Sequence, residues 1–138
     1  IASGRAKDSI RSIVQGQQVG TLLAAKTDPL TARKRWIANQ VHFKGVLVLD
    51  NGAVLKLRSQ GSSLLSVGVK SVEGNFLRGD IVKCVDDKGS LVAQGVINYS
   101  SDDARTIKGV VSERFSDVLG YLGEEELVHR DNLIVAPD

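Results

Sequence analysis

The sequence has 138 residues, none of them methionine and only one of them cysteine, and aromatic residues make up 4%. A single thiol cannot form an internal disulfide, so Cys84 fits a reducing compartment and we expect a cytoplasmic protein. No apolar run approaches the roughly 20 residues that span a bilayer, and residues 1–10 lack the apolar segment of a secretory signal. Because a translated chain begins with methionine and this sequence begins with Ile1, we expect it to be a piece of a longer parent.

The composition is that of a globular protein, with 42% hydrophobic and 25% charged residues. The formal net charge of +2 is unevenly distributed along the chain. Residues 1–40 carry seven basic and two acidic side chains, a net charge of +5, whereas residues 41–138 carry eleven basic and fourteen acidic ones, a net charge of −3. A domain that binds nucleic-acid phosphates usually has a basic face, so the mildly acidic main body argues against that function.

The N-terminal residues 1–28 are predicted to form a strand–helix–strand unit. Residues 1–4 and 19–23 have the composition of short buried strands. Between them, apolar residues at positions 10, 13 and 14 form one face of a predicted helix. Asp8 is the expected N-cap of this helix and Gly16 its expected end. The unit is half of an α/β fold, with nothing in the sequence to complete its sheet.

A connector is predicted after this unit. The dipeptide at 28–29, Asp-Pro, breaks the chain, and Thr31 is expected to cap a short helix over residues 32–37. From about residue 41 the sequence pattern changes to one that predicts short strands and turns.

Residues 41–138 are predicted to form a mixed, mostly antiparallel β pseudo-barrel with short helices, so the fold class is mainly β. Asp50 is expected to cap a helix that ends at Gly61. The run Ser-Asp-Asp that begins at Ser101 is expected to cap a later helix to Lys108, and Ser112 another through Leu119. Gly95 is expected to mark a bulge or a close approach of two backbones. The predicted strands and hairpin turn lie at residues 45–49, 67–74, 81–85, 86–89 (the turn), 91–99 and within 127–135.

Several blocks of sequence resemble the bacterial glutamate 5-kinases, in that family's order and along essentially the whole chain. The segment TARKRWI at 31–37 resembles the family's connector, and IASGR at 1–5 and GTL at 20–22 resemble the end of its amino-acid-kinase domain. The blocks that resemble its PUA domain are DNGA at 50–53, SSLLSVGV at 62–69, GNFLRGD at 74–80, AQGV at 93–96, NYSS at 98–101 and VHRDN at 128–132.

The resemblance implies a division into a remnant of the kinase domain (1–28), a helical connector (29–40) and a PUA domain (41–138). It implies a parent that uses ATP and Mg to phosphorylate the side-chain carboxylate of L-glutamate, in the first step of proline synthesis. The family's glycine-rich phosphate loop is absent from this sequence, so we predict no catalytic or cofactor-binding residue and an inactive fragment. The implied partner is the missing kinase domain, and the PUA domain would be regulatory or structural.

An RNA-binding PUA module is the alternative function. The regions that meet RNA in RNA-modifying enzymes with this domain would here offer Lys70, Arg78 and Arg130 as contacts. Clustering of these residues with Lys83 on one face would favour RNA binding, whereas the scarcity of aromatic residues argues against stacking of bases. Solvated charges and turn chemistry are the simpler interpretation.

Interdomain contact is predicted for Arg33, Arg35 and Trp36, with the indole ring buried against the kinase domain or the barrel; a nucleic-acid patch is the alternative.

No metal site is predicted. Cys84 and the two histidines, His42 and His129, do not match the spacing of zinc ligands. The acidic pairs at 86–87 and 102–103 fit a turn or a helix cap better than a cation site.

Residues 1–28 carry an apolar helix face and strands without a sheet. Exposed apolar faces and unpaired strand edges associate with other protein surfaces. We therefore predict self-association through this segment and a homo-oligomeric protein.

Overall fold

The computed structural model describes residues 1–24 and 28–137. One sheet of five strands forms its centre, in the order β2-β1-β3-β4-β5. The strands are β1 (Gly45–Leu49), β2 (Val69–Gly74), β3 (Ile81–Val85), β4 (Leu91–Val96) and β5 (Leu133–Val135). The α-helices are α1 (Ser9–Val14), α2 (Pro29–Ala38), α3 (Asn51–Gln60), α4 (Ser101–Ile107) and α5 (Phe115–Leu119). Short 3₁₀ turns lie at Ser66–Gly68, Ser112–Arg114 and Arg130–Asn132.

The sheet is mixed, because β1 and β3 run parallel at its centre while the other three pairs are antiparallel. The predicted mixed, mostly antiparallel sheet with short helices is confirmed. An isolated bridge between Leu64 and Val128 adds one further pairing outside the five strands.

Buried side chains form two clusters on opposite faces of the sheet, because successive residues of a strand point in opposite directions. Val82 and Ile97 belong to the larger cluster, which also receives Leu57 from α3. Their chain neighbours Ile81 and Val96 belong to the smaller cluster, which also contains Ile37 from α2. The helix predicted as a connector therefore covers the second face of the sheet.

Several predicted turns and caps are confirmed. The side chain of Asp50 accepts a hydrogen bond of 2.7 Å from the backbone N–H of Ala53, and α3 ends at Gly61 in a left-handed conformation. Asp86 closes the β3–β4 hairpin by accepting from the backbone N–H of Ser90 at 2.8 Å. This hydrogen bond is the main cause that lowers the pKa of Asp86.

Other predicted caps were wrong by one or a few residues. The cap of α2 is Asp28, which accepts from the backbone N–H of Thr31, so Thr31 is the donor and not the cap. The cap of α4 is Ser100, one residue before the predicted Ser101. Ser112 begins a 3₁₀ turn and its side chain makes no cap hydrogen bond there.

Gly95 marks a close approach of two backbones, one of the two alternatives predicted for it. A Cβ atom at this position would lie 2.6 Å from the carbonyl oxygen of Asn132. The irregularity in the β3–β4 ladder lies instead between Cys84 and Val85.

Residues 1–24 depart from the prediction. The predicted helix is present as α1, but Asp8 has a left-handed backbone and its side chain caps nothing. The predicted strands at 1–4 and 19–23 do not form among these residues. Backbone hydrogen bonds join the two segments at Ile1 and Thr21, and within the part of the chain that the structure describes no strand pairs with either of them.

Self-association is the expected behaviour of this segment, because α1 buries none of its residues and leaves Ile10 and Val14 about 80% exposed. In light scattering at rising concentration, the mass is expected to increase above the 14.8 kDa of one chain. The double variant Ile10→Ser with Val14→Ser is expected to remain monomeric. A wild-type chain that stays monomeric at high concentration would contradict the prediction.

Candidate functional site

Helix α2 is held on the sheet by one apolar and one polar contact. Ile37 is fully buried, and its backbone carbonyl accepts a hydrogen bond of 2.6 Å from Nε2 of Gln94 in β4. Gln94 is itself buried, so its amide requires a partner. The carbonyl of Ile37 lies at the C-terminal end of α2, where helix carbonyls lack partners within the helix. This carbonyl also accepts a hydrogen bond of 3.1 Å from the backbone N–H of Gln40, so the contact satisfies the Gln94 amide and ties the end of the helix to the sheet.

The outward side of α2 exposes the residues predicted for interdomain contact. Trp36 is 53% exposed, so the PUA-like barrel does not bury its ring. Arg33, one turn before Trp36, is also exposed, and Leu30 adds apolar surface on the same helix. Arg35 is exposed but lies on the side of the helix that faces β5. An exposed indole beside a guanidinium is the kind of surface that other proteins bury at an interface.

The three basic residues predicted to contact RNA each lie beside a carboxylate. Nζ of Lys70 lies 2.6 Å from Asp87, and Nη2 of Arg78 lies 3.0 Å from Glu124. Nε of Arg130 lies 4.0 Å from Oδ1 of Asp131. These pairs are on the surface, where an ion pair contributes about 0–1 kcal/mol to stability. Their main effect is to reduce the positive potential around each of these basic side chains.

The sheet register separates Lys70 from Arg78. Lys70 follows Val69, which pairs with Leu49 at the end of β1. Arg78 precedes the start of β3, and β3 runs parallel to β1. The two side chains therefore lie at opposite ends of the central strands, and the structure does not bring the predicted residues together on one patch.

The residues considered as metal ligands are not assembled into a site. Among the described residues, no group of three or more histidine, cysteine or acidic side chains is placed to hold a metal ion. Cys84 is fully buried within β3, and burial raises the pKa of its thiol to about 12. The ring of His129 has a structural role, since its Nδ1 accepts a hydrogen bond from the backbone N–H of Asp131.

A cavity of about 320 Å³ lies between α3 and the loop before β2, and the sequence pattern does not predict it. Its lining mixes apolar side chains such as Leu57 with polar ones such as Lys56 and Ser63. Gly68 allows the loop to lie close to α3, because a Cβ atom there would meet Cβ of Ala53 at 2.5 Å. The volume lies at the lower end of the range for small-molecule cavities.

The central part of this architecture matches a known domain family. The family model for the PUA domain matches residues 45–119, which run from β1 to the end of α5. The chain belongs to the PUA domain family. The matched PUA domain residues include most of the sheet and the cavity beside α3, while the connector helix α2 and strand β5 lie outside the match.

Curated relatives extend the similarity beyond the PUA domain. Glutamate 5-kinases of Chromohalobacter salexigens and Thioalkalivibrio sulfidiphilus are 53% and 51% identical to this chain over 98% of its length. The glutamate 5-kinase of Teredinibacter turnerae is 48% identical over 99%. The chain spans 36% of the length of each of these relatives. The predicted resemblance to bacterial glutamate 5-kinases is confirmed.

Two solved structures of PUA domain proteins are similar to part of the chain. A PUA domain from Aeropyrum pernix K1, in a tartrate complex, has a TM-score of 0.45 and 26% sequence identity, covering 62% of this chain and 41% of that one. A conserved PUA domain protein from Thermoplasma acidophilum has a TM-score of 0.42 and 18% identity, covering 61% of this chain and 46% of that one.

Proposed function

We propose that this chain is part of a glutamate 5-kinase, and that its PUA domain is an accessory domain that regulates or supports the kinase. The parent would transfer the γ-phosphate of ATP, with Mg, to the side-chain carboxylate of L-glutamate in proline biosynthesis. The observation that carries the proposal is the identity of 48–53% over 98–99% of the chain, which includes the connector as well as the PUA domain. The parent would act in the cytoplasm as a homo-oligomer.

The chemistry of phosphoryl transfer lies outside this chain. A kinase cradles phosphates with a glycine-rich loop and neutralises developing charge with lysine and metal ions. Glycines near the start of the sequence, Gly4, Gly16 and Gly20, are too scattered for such a loop. These residues do not fit ATP or Mg, so we assign neither to this chain and derive no catalytic step through them.

The connector would link the kinase domain to the PUA domain. In this proposal, residues 1–28 are the end of the kinase domain, 29–40 the connector and 41–138 the PUA domain. Because Ile37 and Gln94 fix one side of α2 to the sheet, the exposed Arg33 and Trp36 are available to contact the kinase domain on the other side. Arg35 would reach it from the edge of the helix.

The test measures ADP release with ATP, Mg and L-glutamate. The isolated 138-residue chain is expected to give no glutamate-dependent turnover, because it has no phosphate loop. The full-length parent is expected to be active under the same conditions. Glutamate-dependent turnover by the pure chain would refute the assignment of chemistry to the missing part. A full-length parent that lacks the activity would refute the proposed function.

A further inference from the structure

A groove of about 410 Å³ lies between α2 and β5. One wall is a stripe of α2 at the spacing of a single helix face, formed by Thr31, Lys34, Arg35 and Ala38. The floor is the whole of β5, Leu133–Val135, and Gly61 and Arg130 complete the lining. Three segments that are distant in sequence therefore enclose it.

The groove follows the edge of the sheet and not one of its faces. Ile134 packs against the cluster beneath α2, whereas Leu133 belongs to the cluster on the opposite face. All three residues of β5 nevertheless line the groove. The groove is also lined by α2, which covers one face, and by Gly61 at the end of α3, which packs on the other face, so it lies at the edge of β5.

This edge is only partly used within the chain, where the backbone N–H of Leu133 donates to the carbonyl oxygen of Arg130. Among residues 1–24 and 28–137, β5 pairs with β4 on one side only. The backbone N–H of Ala136 donates to the carbonyl oxygen of Val92 at 2.8 Å. Because N–H groups alternate in direction along an antiparallel strand, the N–H of Val135 points away from β4, toward the unpaired edge of the sheet.

The rim of the groove is positively charged. Lys34 and Arg35 supply most of this charge, because the third cation of the lining, Arg130, lies beside Asp131. None of the described residues in the lining is acidic. The floor is apolar, with three aliphatic residues and no aromatic side chain. An acidic ligand with aliphatic groups complements this combination of charge and surface.

We propose that the groove binds an extended acidic segment of a partner protein, which adds as a strand to the free edge of β5. Backbone hydrogen bonds to β5 would supply affinity, and acidic side chains at alternate positions would face the cations of α2. A nucleic-acid strand fits less well, because its bases would find no aromatic side chain in this lining on which to stack. The proposal does not depend on the kinase activity of the parent.

The test uses the 138-residue chain and a peptide with an N-terminal fluorescein, fluorescein-Glu-Val-Glu-Val-Glu amide, followed by anisotropy at physiological salt. Binding is expected, and the double variant Lys34→Glu with Arg35→Glu is expected to weaken it by about tenfold or more, since attraction becomes repulsion. The matched control is Lys108→Glu, because Lys108 ends α4, which packs near β2 at the opposite edge of the sheet.

Strand addition is separated from simple charge attraction by two N-methylated peptides. One carries methyl groups on the glutamate amides and the other on the valine amides. Only alternate amides of an added strand face β5, so one peptide is expected to lose binding by about tenfold and the other to retain it. Equal affinities of the two, an absence of binding, or tighter binding of a single-stranded oligonucleotide of the same charge would each overturn the proposal.

Discussion

Replacement of Gly95 by valine is expected to lower the free energy of unfolding by about 3 kcal/mol or more, because the added atoms have no space. Gly95 lies in β4 between β3 and β5, where it pairs with Val82 and Leu133. A Cβ atom at this position would lie 2.6 Å from the carbonyl oxygen of Asn132 and 2.6 Å from Cγ1 of Val128. The oxygen is a backbone atom and cannot rotate away, so the β4–β5 pairing must open or the strands must shift.

Urea unfolding followed by far-UV circular dichroism measures this effect. The midpoint is expected to fall while the slope with urea stays constant, as for a change in stability alone. Gly95→Ala is expected to give an intermediate loss. Gly4→Val is the matched control, because a Cβ atom at Gly4 meets nothing within 4 Å, and its effect is expected to stay within about 0.5 kcal/mol. If Gly95→Val lowered the free energy of unfolding by less than about 1 kcal/mol, the backbones at Gly95 and Asn132 would not be closely packed.

Local signals predicted the fold well where one residue controls the geometry. Asp50 caps α3 and Gly61 ends it because the cap and the left-handed turn involve only neighbouring residues. The N-caps of α2 and α4 were misplaced because two candidate residues lie close together in each case. Both candidates can accept the hydrogen bond, and the sequence pattern does not reveal which one has the required backbone conformation.

The strands predicted at residues 1–4 and 19–23 are absent from the structure for a different reason. Residues 1–4 and 19–23 have the composition of strands, but a strand needs a neighbour to accept its hydrogen bonds. Backbone hydrogen bonds join the two segments at Ile1 and Thr21. The composition of a segment therefore predicts a tendency to form a strand, and the strand itself requires a neighbour that supplies the matching hydrogen bonds.

The candidate sites depend on contacts between distant parts of the chain. The residue pair that holds α2, Ile37 and Gln94, is separated by 57 positions, and Arg78 finds Glu124 at a separation of 46. Periodicity predicts which residues are buried but not which distant residue each one meets. The groove along β5 could not be predicted for the same reason, since its lining comes from three separate segments.

The thiol of Cys84 is expected to react with 5,5′-dithiobis(2-nitrobenzoate) about a thousandfold more slowly in the folded chain than in the unfolded one at about pH 8. Burial raises the pKa of this thiol from its ordinary value of 9.0 to about 12. The reactive species is the thiolate, which forms readily only when the sheet opens, and an opening free energy of about 4 kcal/mol slows labelling about a thousandfold. The side chain is also fully buried, so the reagent cannot reach it without opening of the sheet.

Labelling in buffer and in concentrated urea measures the two rates. The control is a Cys84→Ala chain that carries Leu122→Cys, since Leu122 is 92% exposed and a thiol there is expected to react rapidly in both solutions. Stoichiometric labelling of the wild-type chain within minutes in the same buffer without urea would contradict the prediction.

The raised pKa of Cys84 also predicts a loss of stability at alkaline pH. The folded state favours the neutral thiol, so the contribution of Cys84 is fully present below pH 9 and is lost as the pH rises toward 12. Burial also raises the pKa of Tyr99 to about 12, with further contributions from Tyr121 and Glu124, and its effect has the same sign. Cys84→Ala is expected to be less stable at neutral pH, because it leaves a small cavity, but to lose less of its remaining stability between about pH 9 and 11 than the wild-type chain does. Equal losses in the two chains would show that the thiol does not titrate with unfolding.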